Sequence, residues 1–332
     1  MNMNCNRVAR HDARCTNQPK NSRDHKQPTT RKPDISLRAD EFVAAGFARI
    51  ARELIAHATD RIQRPTADRG EDVHVVRTII KRLRGILRLL APAISPTFLE
   101  RENAHLRKAA RRLAFSRDTA IARQTLTMLV KSRGNKRRRK AVTAAQAVLD
   151  KLVGPEDRIE EAMHEVVRDL AQTRRRIQRL RIAGTGWGVL GPGLQAVYRH
   201  GRNRMNVAFT KRDEASFHRW RIRVKNLYYA LQLLEPIWPK RLGKIIARLH
   251  RLQAILGDDH DLATVKTLFG KAPDAFAGAD AARQIVDCLD RKSRKLKRAS
   301  RPLGKAIFPE SPRRFAHELG ERWSVWKSRR RS

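Results

Sequence analysis

The sequence predicts an all-α fold, on three observations. Apolar residues recur at three- and four-residue spacing from about residue 40 onward, the period of a half-buried helix. Aromatic residues make up only 5% of the chain within a hydrophobic total of 41%, the rest being largely Ala, Leu and Ile. Pro and Gly fall between the periodic segments, where helices start and stop.

Residues 1–38 are polar and basic with almost no bulky apolar side chain, so they predict a disordered arm that cannot repay the entropy of ordering. Val43, Phe47, Ile50, Leu54 and Ile55 then mark a first amphipathic helix up to about Arg64, closed by Pro65 through Gly70. A second helix spans about Glu71 to Leu90, and Ser95-Pro96 opens a third by placing proline in the first turn. Ile121, Leu126, Leu129 and Val130 predict a fourth helix. The run 131–140, with seven cations in ten residues, reads as an exposed connection. The pattern resumes through Leu152 and, after Gly154-Pro155, from Ile159 to Leu180. Five glycines between Gly184 and Gly193 predict a linker dividing a first bundle (39–183) from a second (194–329). Helices are expected there over about 194–209, 212–235, 239–256, 258–269, 276–299 and 311–329.

One pattern occurs twice: His74-x-x-Arg77-x-x-x-Lys81-Arg82-Leu83-Arg84 and His218-x-x-Arg221-Ile-Arg223-x-Lys225. At about 100° per residue, a first residue and those 3, 7 and 10 positions later fall within about 80° of a helix surface. Val76, Ile80, Leu83 and Leu87 occupy the adjoining face in one copy, and Trp220, Val224, Leu227 and Leu231 in the other. Each helix therefore buries one side and keeps a cationic row beside it. The order of elements repeats as well, because each such helix precedes another helix and then a turn holding Asp118 or Asp261. That repetition points to duplicated bundles, whose His-Arg helices face each other across one groove.

The chain carries 73 Lys and Arg against 33 Asp and Glu, a formal charge of +40. Self-repulsion of that size implies a polyanionic partner: polyphosphate, nucleic acid or an anionic membrane surface. Guanidinium groups offer paired planar donors to phosphate oxygens and lysines a mobile point charge, a mixture suited to a long flexible polyanion. Cys5, Cys15 and Cys288 suggest neither a disulfide framework nor a zinc site, there is no apolar stretch of membrane-spanning length, and no secretory leader is read at the start. The expectation is a cytoplasmic protein.

Signals for chemistry are weaker. Gly186-x-Gly188-x-x-Gly191 matches the dinucleotide fingerprint in letters but follows a basic helical stretch instead of a strand. Glu102/His105 and Glu161/His164 have the spacing of di-iron bundles without the partner glutamates, and Asp258 through Asp261 read as helix-capping carboxylates after Leu256-Gly257. No catalytic constellation, metal or cofactor is predicted. Nucleic acid stays open as a competing polyanion, given basic runs at 131–140, 291–301 and 327–331.

The two histidine helices, with Arg117-Asp118 and Leu256-Gly257-Asp-Asp-His-Asp261-Leu262, resemble the motifs of the CHAD family, the conserved histidine α-helical domain, over roughly residues 39–329. The resemblance implies a bacterial-type protein of two four-helix-type bundles related by a pseudo-twofold axis. It also implies a basic central channel that binds inorganic polyphosphate without turnover, with association to polyphosphate granules. The binding set it implies is His74, Arg77, Lys81, Arg82, Arg84, Arg88 and Arg117 in the first half, and His218, Arg221, Arg223 and Lys225 in the second. Arg199 and Arg202 join from the basic segment before the second histidine helix. Asn226 and Tyr228 stand where the family usually has Arg, so residues 74–88 are expected to carry more of the binding energy.

Overall fold

The turn signals of the sequence become helix boundaries in a computed structural model that describes residues 33–113, 125, 127, 143, 157–271 and 279–328. Nine helices have described bounds: α1 (Val43–Gln63), α2 (Arg69–Leu89), α3 (Pro96–Arg112), α4 (Asp157–Gln178), α5 (Gly186–Lys211), α6 (Glu214–Leu234), α7 (Pro239–Lys271), α8 (Ala279–Ile307) and α9 (Pro312–Ser328). No strand occurs among the described residues. The expected fourth helix, the basic run 131–140, Cys5, Cys15, Arg117 and Asp118 lie outside them.

Local chemistry sets the ends. Asp68 caps α2 by accepting the Glu71 N–H at 3.0 Å, and Asp213 caps α6 by accepting the Ser216 N–H at 2.6 Å. The buried Asp72 carboxylate accepts the Thr66 N–H at 2.8 Å and pairs with Arg61 at 3.2 Å, which fixes the turn from α1 into α2. α2 and α6 each end in a three-residue 3-10 turn holding a proline, Ala91–Ala93 and Glu235–Ile237. A helix beginning on proline follows each time, at Pro96 and at Pro239.

Helices α1 to α4 close a ring of contacts, α1 on α2, α2 on α3, α3 on α4 and α4 on α1. Its centre is filled by Ile50, Leu54, Ile80, Leu83, Leu87, Leu106, Met163 and Leu170, all inaccessible to solvent. Each such side chain contributes about 1.5–3 kcal/mol on burial. The α3–α4 seam adds polar clasps: buried Glu102 accepts from Thr173 at 3.2 Å and pairs with Arg176, while His105 meets the Asp169 carbonyl at 3.0 Å. The Glu-x-x-His spacing at 102–105 thus serves helix packing. In the second half α5 packs on α6 and α9, and α7 on α6 and α8. The halves join where α2 packs on α6 and α5, around Gly85, whose Cα lies so near Tyr229 that an added Cβ would sit 3.1 Å from that ring's carbons.

Three expectations need correction. Residues 186–193 are the first turns of α5, not a linker. A Cβ on Gly193 would stand 1.7 Å from the Leu89 carbonyl oxygen, so the glycine is there to let α5 touch the end of α2. Pro192 is accommodated inside that helix. α7 runs unbroken through Gly257 and Asp258–Asp261, so these carboxylates are interior and not caps. Asp259 is buried instead, accepting from Ser293 at 2.5 Å with Lys297 at 4.0 Å, and burial holds its carboxyl above the usual range. Finally, residues 33–38 are not part of an unfolded arm, because buried Leu37 donates its N–H to the Leu233 carbonyl at 3.0 Å. Arg49 fastens the same segment to Glu41 at 2.7 Å and to the Ser36 carbonyl at 2.7 Å.

Candidate functional site

The α2 row divides into a structural part and a chemical part. Arg77 is 8% exposed, and its guanidinium donates to the Ala110 carbonyl at 3.4 Å and to the Leu113 carbonyl, closing the C-terminal end of α3. It is therefore a helix-capping residue before it is anything else. His74 is exposed one turn earlier and Lys81 half-buried one turn later. Beyond Lys81 lie Arg84 and Arg88, both half-buried.

Arg84 and Arg88 belong to a cluster of cations drawn from four helices. Burial, and after it the guanidiniums of Arg84, Arg223 and Arg107, push Arg88 down to about 10. Burial and then Arg107 lower Arg84, and burial and then Arg204 lower Arg223. His200 is held below the usual histidine value by burial, then by Arg223, Arg199 and Arg204. Arg84, Arg88, Arg204 and Arg223 form a half-buried floor, and Arg107, Arg199 and His200 an exposed rim. No described carboxylate pairs with any of the six arginines. The Nε of Arg84 is buried with no hydrogen-bond partner. Like charges gathered without counter-charge, each depressing the next, leave a site whose electrostatic cost an incoming polyanion relieves.

The α6 row is built differently. Arg221 is also 8% exposed and lies against Gly257 of α7, with Nη2 3.9 Å from where a Cβ would be. His218 shares an Nδ1···Nδ1 contact of 3.2 Å with His260, their rings 4.6 Å apart. Burial, then Arg221, Arg219 and Lys225, hold His218 below the usual histidine value. Past Lys225 the row ends in Tyr228, whose hydroxyl accepts from Gln232 at 3.0 Å.

Two arginines change sides. Arg223 follows Arg221 by two residues, about 200° around the helix, so it points away from its own row and toward Arg88. Arg82 is about 140° from Arg77, donates to Gln232 at 3.0 Å and lies 5.5 Å from the Tyr229 ring centre. The two rows consequently flank the α2–α6 contact on opposite sides; they do not face each other across one groove. Arg202 sits apart from the cluster, acting on the Tyr198 hydroxyl together with Arg241. Of the residues expected from the sequence, Arg84, Arg88, Arg199 and Arg223 come together. Arg107, His200 and Arg204 are additions. A signal for two of them was present in the Arg199-His200-x-x-x-Arg204 spacing, but Arg107 had none beyond being basic.

Fold and site define an all-helical domain with a half-buried, uncompensated cationic cluster at the junction of its two halves. The chain belongs to the CHAD domain family, whose model matches residues 45–270. The crystal structure of the CHAD domain from the plant Ricinus communis has the same fold, with a TM-score of 0.58 over 83% of this chain and 96% of that one, at 18% sequence identity. No curated protein matches the sequence significantly. No helix among the described residues is long and apolar enough to cross a membrane.

Proposed function

We propose that this protein binds inorganic polyphosphate through the cluster centred on Arg84, Arg88, Arg107, Arg204 and Arg223, as a binder and not as an enzyme. The observation that carries this is the absence of any described carboxylate paired with these guanidiniums, although burial already depresses three of them. A chain of linked phosphates places many charges on one flexible strand and can follow cations arriving from four helices. Single-stranded nucleic acid is less well matched, since the cluster consists of Arg and His and offers no Tyr, Trp or Phe for base stacking. Binding of this kind suits a cytoplasmic protein held at polyphosphate granules.

The test is binding of labelled long-chain polyphosphate to wild type and to Arg84→Ala/Arg88→Ala/Arg107→Ala/Arg223→Ala. Affinity should fall by about 100-fold or more, as loss of several charge-assisted contacts requires. Duplex DNA at equal phosphate concentration should leave bound polyphosphate in place. Unchanged binding by the variant, or displacement by DNA, overturns the assignment. Phosphate release from polyphosphate by purified protein would replace binding with hydrolysis.

A further inference from the structure

Burial of one face leaves α8 with an exposed ridge. Between Arg291 and Lys305 the helix holds eight cations and no carboxylate. Lys297 turns inward to Asp259, 4.0 Å away, and lies 5.0 Å from the Phe217 ring centre. The preceding acid, Asp290, is engaged by Lys266 at 2.9 Å. Arg291, Arg294, Lys295, Arg298, Arg301 and Lys305 are all exposed and none pairs with a described carboxylate. At about 100° per residue they span about 120° of the helix surface, and at 1.5 Å per residue the row is about 21 Å long. Arg301 is held along the row by the Phe209 ring, 5.4 Å from its centre. Arg248 of α7 extends the patch, reaching the Ala306 carbonyl at the end of α8 at 3.3 Å. α8 also lies beyond residues 45–270, the span matched by the family model.

We infer that this ridge is a second polyanion surface, separate from the cluster, and that its partner is duplex DNA bound without sequence preference. The ridge is a convex, rigid rod of charges with no wall opposite. A flexible phosphate chain would lose its conformational freedom there without being enclosed, whereas a stiff duplex presents a linear phosphate array already ordered. A duplex carries one charge per about 1.7 Å of axis, so the row spans about twelve phosphates. A helix about 10–12 Å across with its side chains matches the B-form major groove of about 12 Å, and the narrow A-form groove of RNA does not admit it. No Asn, Gln, Asp or Glu accompanies the cations between 291 and 305, so the ridge lacks the side chains that read adenine and cytosine and is composed for phosphate contacts. A membrane partner is disfavoured because, among the described residues, the exposed large apolar ones are Phe42, Ile222 and Val325, none of them on α8.

The experiment measures binding of a mixed-sequence DNA duplex of about two helical turns across a salt series. Its subjects are wild type, Arg294→Ala/Lys295→Ala/Arg298→Ala/Arg301→Ala, and the charge-preserving Arg294→Lys/Arg298→Lys/Arg301→Lys. The alanine variant should lose about 100-fold or more at low salt, with the slope of log affinity against log salt falling by about 3–4, one counterion-release increment per cation removed. The lysine variant should bind as wild type does, and circular dichroism should be unchanged in both, since every altered position is exposed. Polyphosphate affinity of the alanine variant should stay within about twofold, and the cluster variant of the previous section should keep its DNA affinity. Unchanged DNA binding by the alanine variant overturns the inference. So does an equal preference for duplex RNA or for anionic phospholipid vesicles, or a parallel loss of polyphosphate binding.

Discussion

Helices α2 and α6 begin alike. Each runs for 21 residues, each is capped by an aspartate side chain, and each buries an arginine three residues after its histidine at 8% exposure. They part company two turns later. On α2 the row goes on through Arg84 and Arg88 into an uncompensated cluster, whereas on α6 it passes into Tyr228 and Gln232, which satisfy each other. His74 is exposed, and His218 is half-buried against His260. A periodic motif repeated with the same letters can therefore do two jobs. Its N-terminal part holds the bundle, at least where Arg77 closes α3, and its C-terminal part determines whether the helix also presents charge.

The largest expected contrast lies at that divergence. Arg84→Ala/Arg88→Ala should weaken polyphosphate binding by about 10–100-fold, and the matched pair Tyr228→Ala/Gln232→Ala by less than about threefold. Calorimetric titration of both proteins decides it; equal losses would return the two rows to equivalence.

Next in size is a contrast within α2. Arg77→Ala removes a nearly buried charged donor from two carbonyls and should destabilise the protein by about 1.5–3 kcal/mol. Arg88→Ala removes a cation that its neighbours already oppose, and should leave thermal stability unchanged or raised. Denaturant melts of the two variants separate packing from binding. A destabilised Arg88→Ala protein would show that the guanidinium is structural after all.

A smaller effect concerns pH. His200 and His218 both lie below the ordinary value of 6.5, so as pH falls the unfolded chain takes up protons first. The free protein should then lose stability on acidification through about pH 6.5. Bound phosphate favours the imidazolium form and reverses the sign for affinity. Lowering pH from about 8 to about 5.5 should strengthen polyphosphate binding by about 3–10-fold. His200→Ala, on the rim of the α2 cluster, should abolish that gain, and His218→Ala should keep it. The opposite result would move the sensitive group to α6.

The smallest change completes the second row. Tyr228→Arg places a cation where α6 lacks one and should raise affinity by about threefold, limited by repulsion from Arg82, which already acts on the Tyr228 hydroxyl. No gain at all would mean that the α6 flank takes no part in binding.

Much of this was legible in the chain. Helix periodicity placed α1, α2, α3 and α6 to within a few residues, because their apolar stripes are regular and their ends carry Asp or Pro. The same logic fails at 184–193 and at 256–261, where the glycines from Gly186 to Gly193 and Gly257 lie inside helices and not at breaks between them. Gly193 answers instead to the Leu89 carbonyl and Gly257 to the Arg221 guanidinium, neighbours that no local pattern contains. Leu37 follows the same rule: it is buried, and its backbone N–H pairs with the carbonyl of Leu233, almost two hundred residues away.

By itself the sequence determined the helical class, the excess of cations and the two rows, since propensity, period and net charge are sums over neighbouring residues. The tertiary structure decided which of those cations became a site. Charges on one helix are equivalent until other helices pack beside them. Only packing could bury Arg77 as a cap, gather Arg107, His200 and Arg204 around Arg84 and Arg88, and turn Arg223 away from its own row to join them.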